Sequence, residues 1–211
     1  MNRAKLKDAE ARFLKLYPGG FSNPRMLEIA KKHKIEKMSK LALDSFSVEN
    51  FKNPDTIVDS MKKLISQSSM VSVFEKPKFR DLVSAMNNDE KRRLSRGLEE
   101  FLHGDQQSGF MLMSDLLNEY NLAKWTLLTA CPYYYRPGVE VFIKPTTVKG
   151  VIEYFELEGL KYSPKPNYEF YKAYREQINQ IKKEVDASLQ ANNGAFCGFL
   201  LMSLESSANP E

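Results

Sequence analysis

The sequence predicts a mainly α-helical chain, a single-domain multi-helical bundle, on three observations. Apolar residues recur at spacings of three and four along most of its 211 residues. The breaks between those runs hold helix stops and starts, such as Pro18-Gly19-Gly20 and Asn23-Pro24. Only residues 139–143 read as strand, so at most a short β-pair is expected there. With no repeat, low-complexity tract or long linker, residues 1–211 read as one helical domain, with basic N-terminal helices over 1–47 and a helical core over 54–204.

Leu6, Ala9, Phe13 and Leu16 form one stripe of a helix over residues 4–16, and Gly19-Gly20 supplies the turn that ends it. Asn23 is the expected N-cap and Pro24 the first helical position of the next segment. From Met26 to Leu43 the apolar pattern continues to about residue 45, opposite a face of Lys31, Lys32, Lys34, Lys37 and Lys40. Ile57, Val58, Met61, Leu64 and Ile65 give another amphipathic helix between residues 54 and 70. Lys76-Pro77 is expected to break the chain, and Asn88-Asp89-Glu90 opens a helix that Gly104 closes. Residues 110–117 and 122–130 read as buried helices. Thr146 is the expected cap of a helix ending at Gly159. After the stiff connector Tyr162-Ser163-Pro164-Lys165-Pro166-Asn167, a long helix should bury Tyr168, Tyr171, Tyr174, Ile178, Ile181 and Val185. An apolar segment over 195–204 precedes a tail, 205–211, expected to fray.

The net charge of +4 is unevenly spread: residues 1–40 hold eleven Lys and Arg against four Asp and Glu, while the rest is close to balanced. A concentrated positive field attracts phosphate backbones or acidic partners, although it also serves as a solvated face. Cys131 and Cys197 lack metal or redox spacing and read as small buried hydrophobes of a reducing, cytoplasmic setting. The start of the chain has no signal-like apolar run, and no window suits a membrane span, so no membrane association is expected.

The phrase Tyr133-Tyr134-Tyr135-Arg136-Pro137-Gly138 interrupts the helical pattern and leads to Lys144-Pro145-Thr146. Tyrosine faces stack on bases and cations hold phosphate, so Tyr133, Tyr135, Arg136, Lys144 and Thr146 are candidate ligand or anion contacts. Lys124 and Trp125 join them, because a lysine beside an apolar run calls for a partner, with Asp115 or Glu119 the nearest choices. A turn between helices with half-buried tyrosines is the plainer reading of the same phrase. A helix-hairpin-helix loop of the DNA-repair type does not fit: Glu140 replaces its second glycine and Pro145 interrupts its second helix.

Catalytic sets are thin. His103 with Asp105 is the minimal oriented imidazole, yet a histidine at a helix C-terminus before glycine is ordinary. No nucleophile elbow, His-Glu-x-x-His or phosphate-binding glycine loop is present, so neither metal nor cofactor is expected, and whether the chain is an enzyme stays open.

"LHGDQQSGF", "AKWTLLTACPYYYRPGVEVFIKPTTVKG" and "SPKPNYEFYKAYREQI" together resemble a family of bacterial proteins of similar length with no assigned activity. The resemblance covers roughly residues 79–197 and points to Lys124, Trp125, Phe142, Lys144, Pro145 and Thr146 without implying a reaction.

The leading expectation is a noncatalytic binding protein that engages nucleic acid or another polyanion through Lys31, Lys32, Lys34 and the 133–149 insert. One alternative is an enzyme or small-ligand protein with a pocket around Trp125, Tyr133–Tyr135, Lys144 and His103. Another is a helical protein-interaction module. Oligomeric state is not legible.

Overall fold

A computed structural model describes residues 1–208, with side chains through Leu204. Eleven α-helices and no strand are found among the described residues, so the mainly helical class holds. They are α1 (Arg3–Leu16), α2 (Pro24–His33), α3 (Ile35–Ser45), α4 (Pro54–Gln67), α5 (Glu75–Ala85), α6 (Asn88–His103), α7 (Gln106–Glu119), α8 (Trp125–Tyr135), α9 (Pro145–Tyr154), α10 (Tyr168–Lys182) and α11 (Asn193–Ala208). No helix among the described residues is long and apolar enough to cross a membrane.

The helices group into two compact units. Among the described residues the first comprises residues 1–32, 137–164 and 169–208; the second comprises residues 33–136 and 165–168.

In the second unit α8 is the buried element. Every residue from Trp125 to Tyr134 is buried, which explains why its sequence is apolar all round rather than striped. Helices α3, α4, α6 and α7 all pack on it. The hairpin of α6 and α7 is the tightest pairing. A Cβ on Gly109 would stand 2.6 Å from the Gly97 carbonyl oxygen and 2.7 Å from the Phe101 Cα, so glycine is what lets the two backbones approach. Asn87 and Glu90 form a reciprocal capping box at the start of α6, and Asp105 caps α7.

In the first unit α11 packs against α1 and α9. Phe13 of α1 meets Phe199 of α11 edge-on at 5.1 Å and Phe21 at 6.0 Å. Gly19 and Gly20 take positive φ in the turn that ends α1, as their sequence implied.

Several expectations are corrected. The helical pattern from Met26 to Leu43 is broken at Lys34, which sits in the left-handed region at φ 52°. Pro77 lies inside the first turn of α5, where its missing N–H costs no intrahelical bond, so it does not break the chain. Tyr133–Tyr135 is the last turn of α8 and not a loop; Pro132 is accommodated inside that helix. Residues 139–143 form no strand, because side chains take up backbone carbonyls of this segment. Lys144, not Thr146, is the N-cap of α9, with Pro145 at its first position. The tail expected to fray is helical through Ala208, and residues 209–211 lie outside the described residues.

Gly109→Ala should destabilise the protein by about 1–3 kcal/mol through overpacking of the α6–α7 crossing, read as a lowered urea midpoint with an unchanged slope.

Candidate polyanion interface

Basic side chains of the protein fall into two sets. In α1, Arg3 is paired with Glu184 at 2.9 Å, Lys5 with Glu156 at 2.8 Å, Lys7 with Glu10 at 2.8 Å and Arg12 with Asp8 at 2.9 Å. In α6, Arg93 meets Glu119 at 2.7 Å and Lys91 meets Asp55 at 2.7 Å. By contrast, Lys31, Lys32, Lys34, Lys37 and Lys40 are all exposed, and none pairs with a carboxylate among the described residues. Much of the basic excess of residues 1–40 is therefore neutralised at home in α1 and left open in the segment from Lys31 to Lys40.

Local structure explains the openness. Helix α3 turns Met38 and Ala42 inward, which places Lys37 and Lys40 outward with Glu36 and Asp44. Lys34 stands at the helix entry in a conformation rare for a side chain with a Cβ. One residue earlier, His33 Nδ1 lies 2.9 Å from the Ser69 hydroxyl. That contact brings the start of α3 to the loop between α4 and α5. The loop is anchored from below: Ser68 is fully buried, and its hydroxyl lies 3.0 Å from that of Tyr134.

Beyond Ser69 the loop turns apolar residues outward. Val73 is 71% exposed and Phe74 78% exposed. Glu75, the acid of this turn, is drawn inward to accept a hydrogen bond from Thr126. Lys76 and Lys78 follow, each without a carboxylate partner among the described residues.

The aromatic and basic residues singled out from sequence fare differently. Trp125 is 2% exposed against Phe110, and Tyr133 is fully buried beside Tyr134, so both rings belong to the core of the second unit. Tyr135 is half-buried edge-on to His103 at 5.4 Å. Arg136 turns inward and donates to the Phe101 carbonyl oxygen at 3.3 Å. Lys124 is exposed at the N-terminus of α8; it pairs with neither Asp115 nor Glu119, the latter being held by Arg93. His103 donates from Nε2 to the Phe46 carbonyl oxygen at 2.9 Å and packs edge-on to Phe51. Asp105 is engaged with Ser108 of its own helix and does not orient that imidazole. Lys144 and Thr146 belong to the first unit, where both are exposed at the start of α9.

The first unit holds a polar cluster that sequence reasoning missed. Glu140 is 1% exposed; it accepts from Tyr171 at 2.7 Å and pairs with Arg175 at 3.1 Å. Burial, with the adjacent carboxylate, pushes the Tyr171 phenol well above its ordinary range, so it stays a donor. Lys182 Nζ donates to the Gly138 carbonyl oxygen at 2.8 Å and to Asn193 Oδ1 at 2.6 Å. Asn193 Nδ2 in turn donates to the carbonyl oxygens of Val139 and Glu140. Desolvation lowers the Lys182 pKa and pushes the neighbouring Cys197 thiol up to about 12, which makes that thiol inert as a nucleophile. The arrangement is a clamp on the extended segment 138–140, with its lysine already occupied. A signal for it existed in the sequence: Lys182 sits four residues after Ile178 on the apolar stripe of α10.

A cleft of about 500 Å³ opens elsewhere in the first unit, between α1 and α11, lined among others by Phe13, Leu16, Met202, Arg12, Lys15 and Tyr17. No group of three or more His, Cys, Asp or Glu suited to a metal occurs among the described residues. Comparison with known proteins finds no family model, no curated protein and no solved structure that matches this chain.

Lys182→Met should cost about 1–3 kcal/mol, since a buried and a part-buried acceptor lose their donor, and Asn193→Ala should be non-additive with it in a double-mutant cycle of urea unfolding.

Proposed function

We propose that the protein is a noncatalytic nucleic-acid-binding protein of the cytoplasm that holds phosphate through the exposed lysines of its second unit, Lys34, Lys37 and Lys40. The observation behind this reading is the run of exposed lysines without carboxylate partners, in a protein whose helices α1 and α6 are laced with ion pairs. Unpaired cations at the entry and on the outer face of α3 are ready to release counterions from a phosphate backbone, which is where sequence-independent affinity comes from. Lys144 and Thr146 are exposed in the first unit and are candidate phosphate contacts of that unit by itself, whereas Arg136 is engaged inward. The resemblance to a family of bacterial proteins with no assigned activity adds no reaction to it.

Binding to a labelled oligonucleotide should weaken steeply as salt rises. Neutralising Lys34, Lys37 and Lys40 to Gln together should lower affinity and flatten the log–log salt slope, by about 0.7 to 0.9 for each phosphate that is no longer neutralised. Binding indifferent to salt and to these substitutions would remove the reading.

The cleft between α1 and α11 favours a second reading, a small-ligand protein. Its lining combines the apolar Phe13, Leu16 and Met202 with Lys15 and Tyr17, a set suited to a carboxylate with an apolar body. A medium-chain fatty acid should then raise the melting temperature of the wild type but not of Lys15→Glu.

A further inference from the structure

We propose that Phe74 is the base-stacking anchor of the lysine face, and that the polyanion this face takes is single-stranded nucleic acid. This rests on the nucleic-acid reading above and names its substrate class. Phe74 is 78% exposed at the entry to α5, its amide held by the Ser72 hydroxyl at 3.2 Å, so the ring is presented on a fixed turn. An aromatic ring of that exposure gains nothing for folding. It is available to cover another flat apolar surface.

The surroundings say which surface. The loop that carries Phe74 is tied to the start of α3 through His33 and Ser69, at 2.9 Å. Phe74 follows Ser69 by about five residues, so the ring's backbone lies within about 17 Å of that tie even if the chain were fully extended. Lys34 and Lys37 stand on the α3 side, and Lys76 and Lys78 follow the ring on the α5 side, all without carboxylate partners among the described residues. Glu75, which would repel a phosphate, is turned inward to Thr126. An exposed ring with lysines two and four residues after it, on a loop tied to the start of the lysine-bearing α3, has the makings of a stacking platform on a basic track. In a duplex the base faces are covered by their neighbours; in a single strand they are open to such a ring. An apolar wedge into a lipid surface uses the same residues, but Val73 and Phe74 are its only strongly exposed apolar members here, with Met70 half-buried and Val71 buried.

The test titrates the full chain with a fluorescein-labelled oligothymidylate, the same label on a duplex, and vesicles of phosphatidylcholine with phosphatidylserine. Phe74→Ala, an exposed change whose melting temperature should match wild type, is expected to weaken single-strand binding on the order of 10- to 100-fold. It should leave the salt slope and the duplex titration unchanged, and Phe74→Tyr should restore single-strand affinity to within a few-fold. Single-strand binding equal to wild type in Phe74→Ala overturns the proposal while leaving the lysine reading intact. Loss of affinity for single strand and duplex alike in Phe74→Ala overturns it too. Binding to the vesicles but to neither oligonucleotide overturns both readings, and so does oligonucleotide binding that the neutralised lysines do not change.

Discussion

The second unit depends on one constraint, the burial of α8 on every side. A helix with no solvent-facing stripe has to satisfy its polar groups inside the core. Few partners suffice: Thr129 returns its hydroxyl to the Trp125 carbonyl oxygen at 2.7 Å, and Tyr134 meets Ser68 at 3.0 Å. Because α3, α4, α6 and α7 all pack on this one rod, each commits an inner face to it. The outer faces are then fixed as a consequence. Lys37 and Lys40 point outward because Met38 and Ala42 point inward, and the loop after α4 is held at its root by the Tyr134 hydroxyl. The tyrosine run thus acts through the fold, by placing a loop, while its own rings stay within or against the core.

A different device orders the first unit. Residues 139–143 are extended and mostly buried yet pair with no strand, so their backbone carbonyls need partners from side chains. Asn179 and Asn193 provide them here, and Lys182 does so for Gly138 just before, at 2.8 to 2.9 Å for the closest contacts. The cation is costly to bury, and burial lowers its pKa accordingly. Such a cost is offset because an ammonium donates strongly to two acceptors at once. The same segment buries Glu140, and Arg175 with Tyr171 compensates its charge. Two charged side chains on α10 therefore hold one short stretch of chain in place.

Legibility in the sequence divides along the same physical lines. Helices with a one-sided stripe and a standard cap are readable: α1, α4 and α6 start and end within a few residues of expectation, because periodicity and capping chemistry are local. The break at Lys34 is not readable, since no glycine, proline or asparagine marks it; it is stabilised by what lies around it and not by its own propensity. The last turn of α8 is misread because Pro132 signals a stop in isolation, whereas tertiary packing on all sides carries the helix through it. For the candidate site, the lysines are legible as a charge run. Which cations are free is not, because Arg12 and Lys37 look alike until Asp8 is seen beside one of them. Phe74 is invisible for the opposite reason: an apolar residue outside any stripe gives no periodic signal, and only its exposure distinguishes it.

That contrast between paired and open cations bears on whether the lysine face is there merely for solubility. Exposed ion pairs contribute little to stability, so pairing in α1 and α6 is not something the fold requires. What pairing does do is weaken the local positive field, so those helices attract a polyanion less within the Debye length over which surface charges act. A solubility role is served equally well by paired and unpaired charges spread over the surface. Here exposed lysines without carboxylate partners follow one another closely from Lys31 to Lys40, and Lys76 and Lys78 follow an outward phenylalanine whose neighbouring acid is turned in. Local positive potential combined with a flat apolar ring is wasted on water, and it matches a phosphate chain that carries unpaired bases.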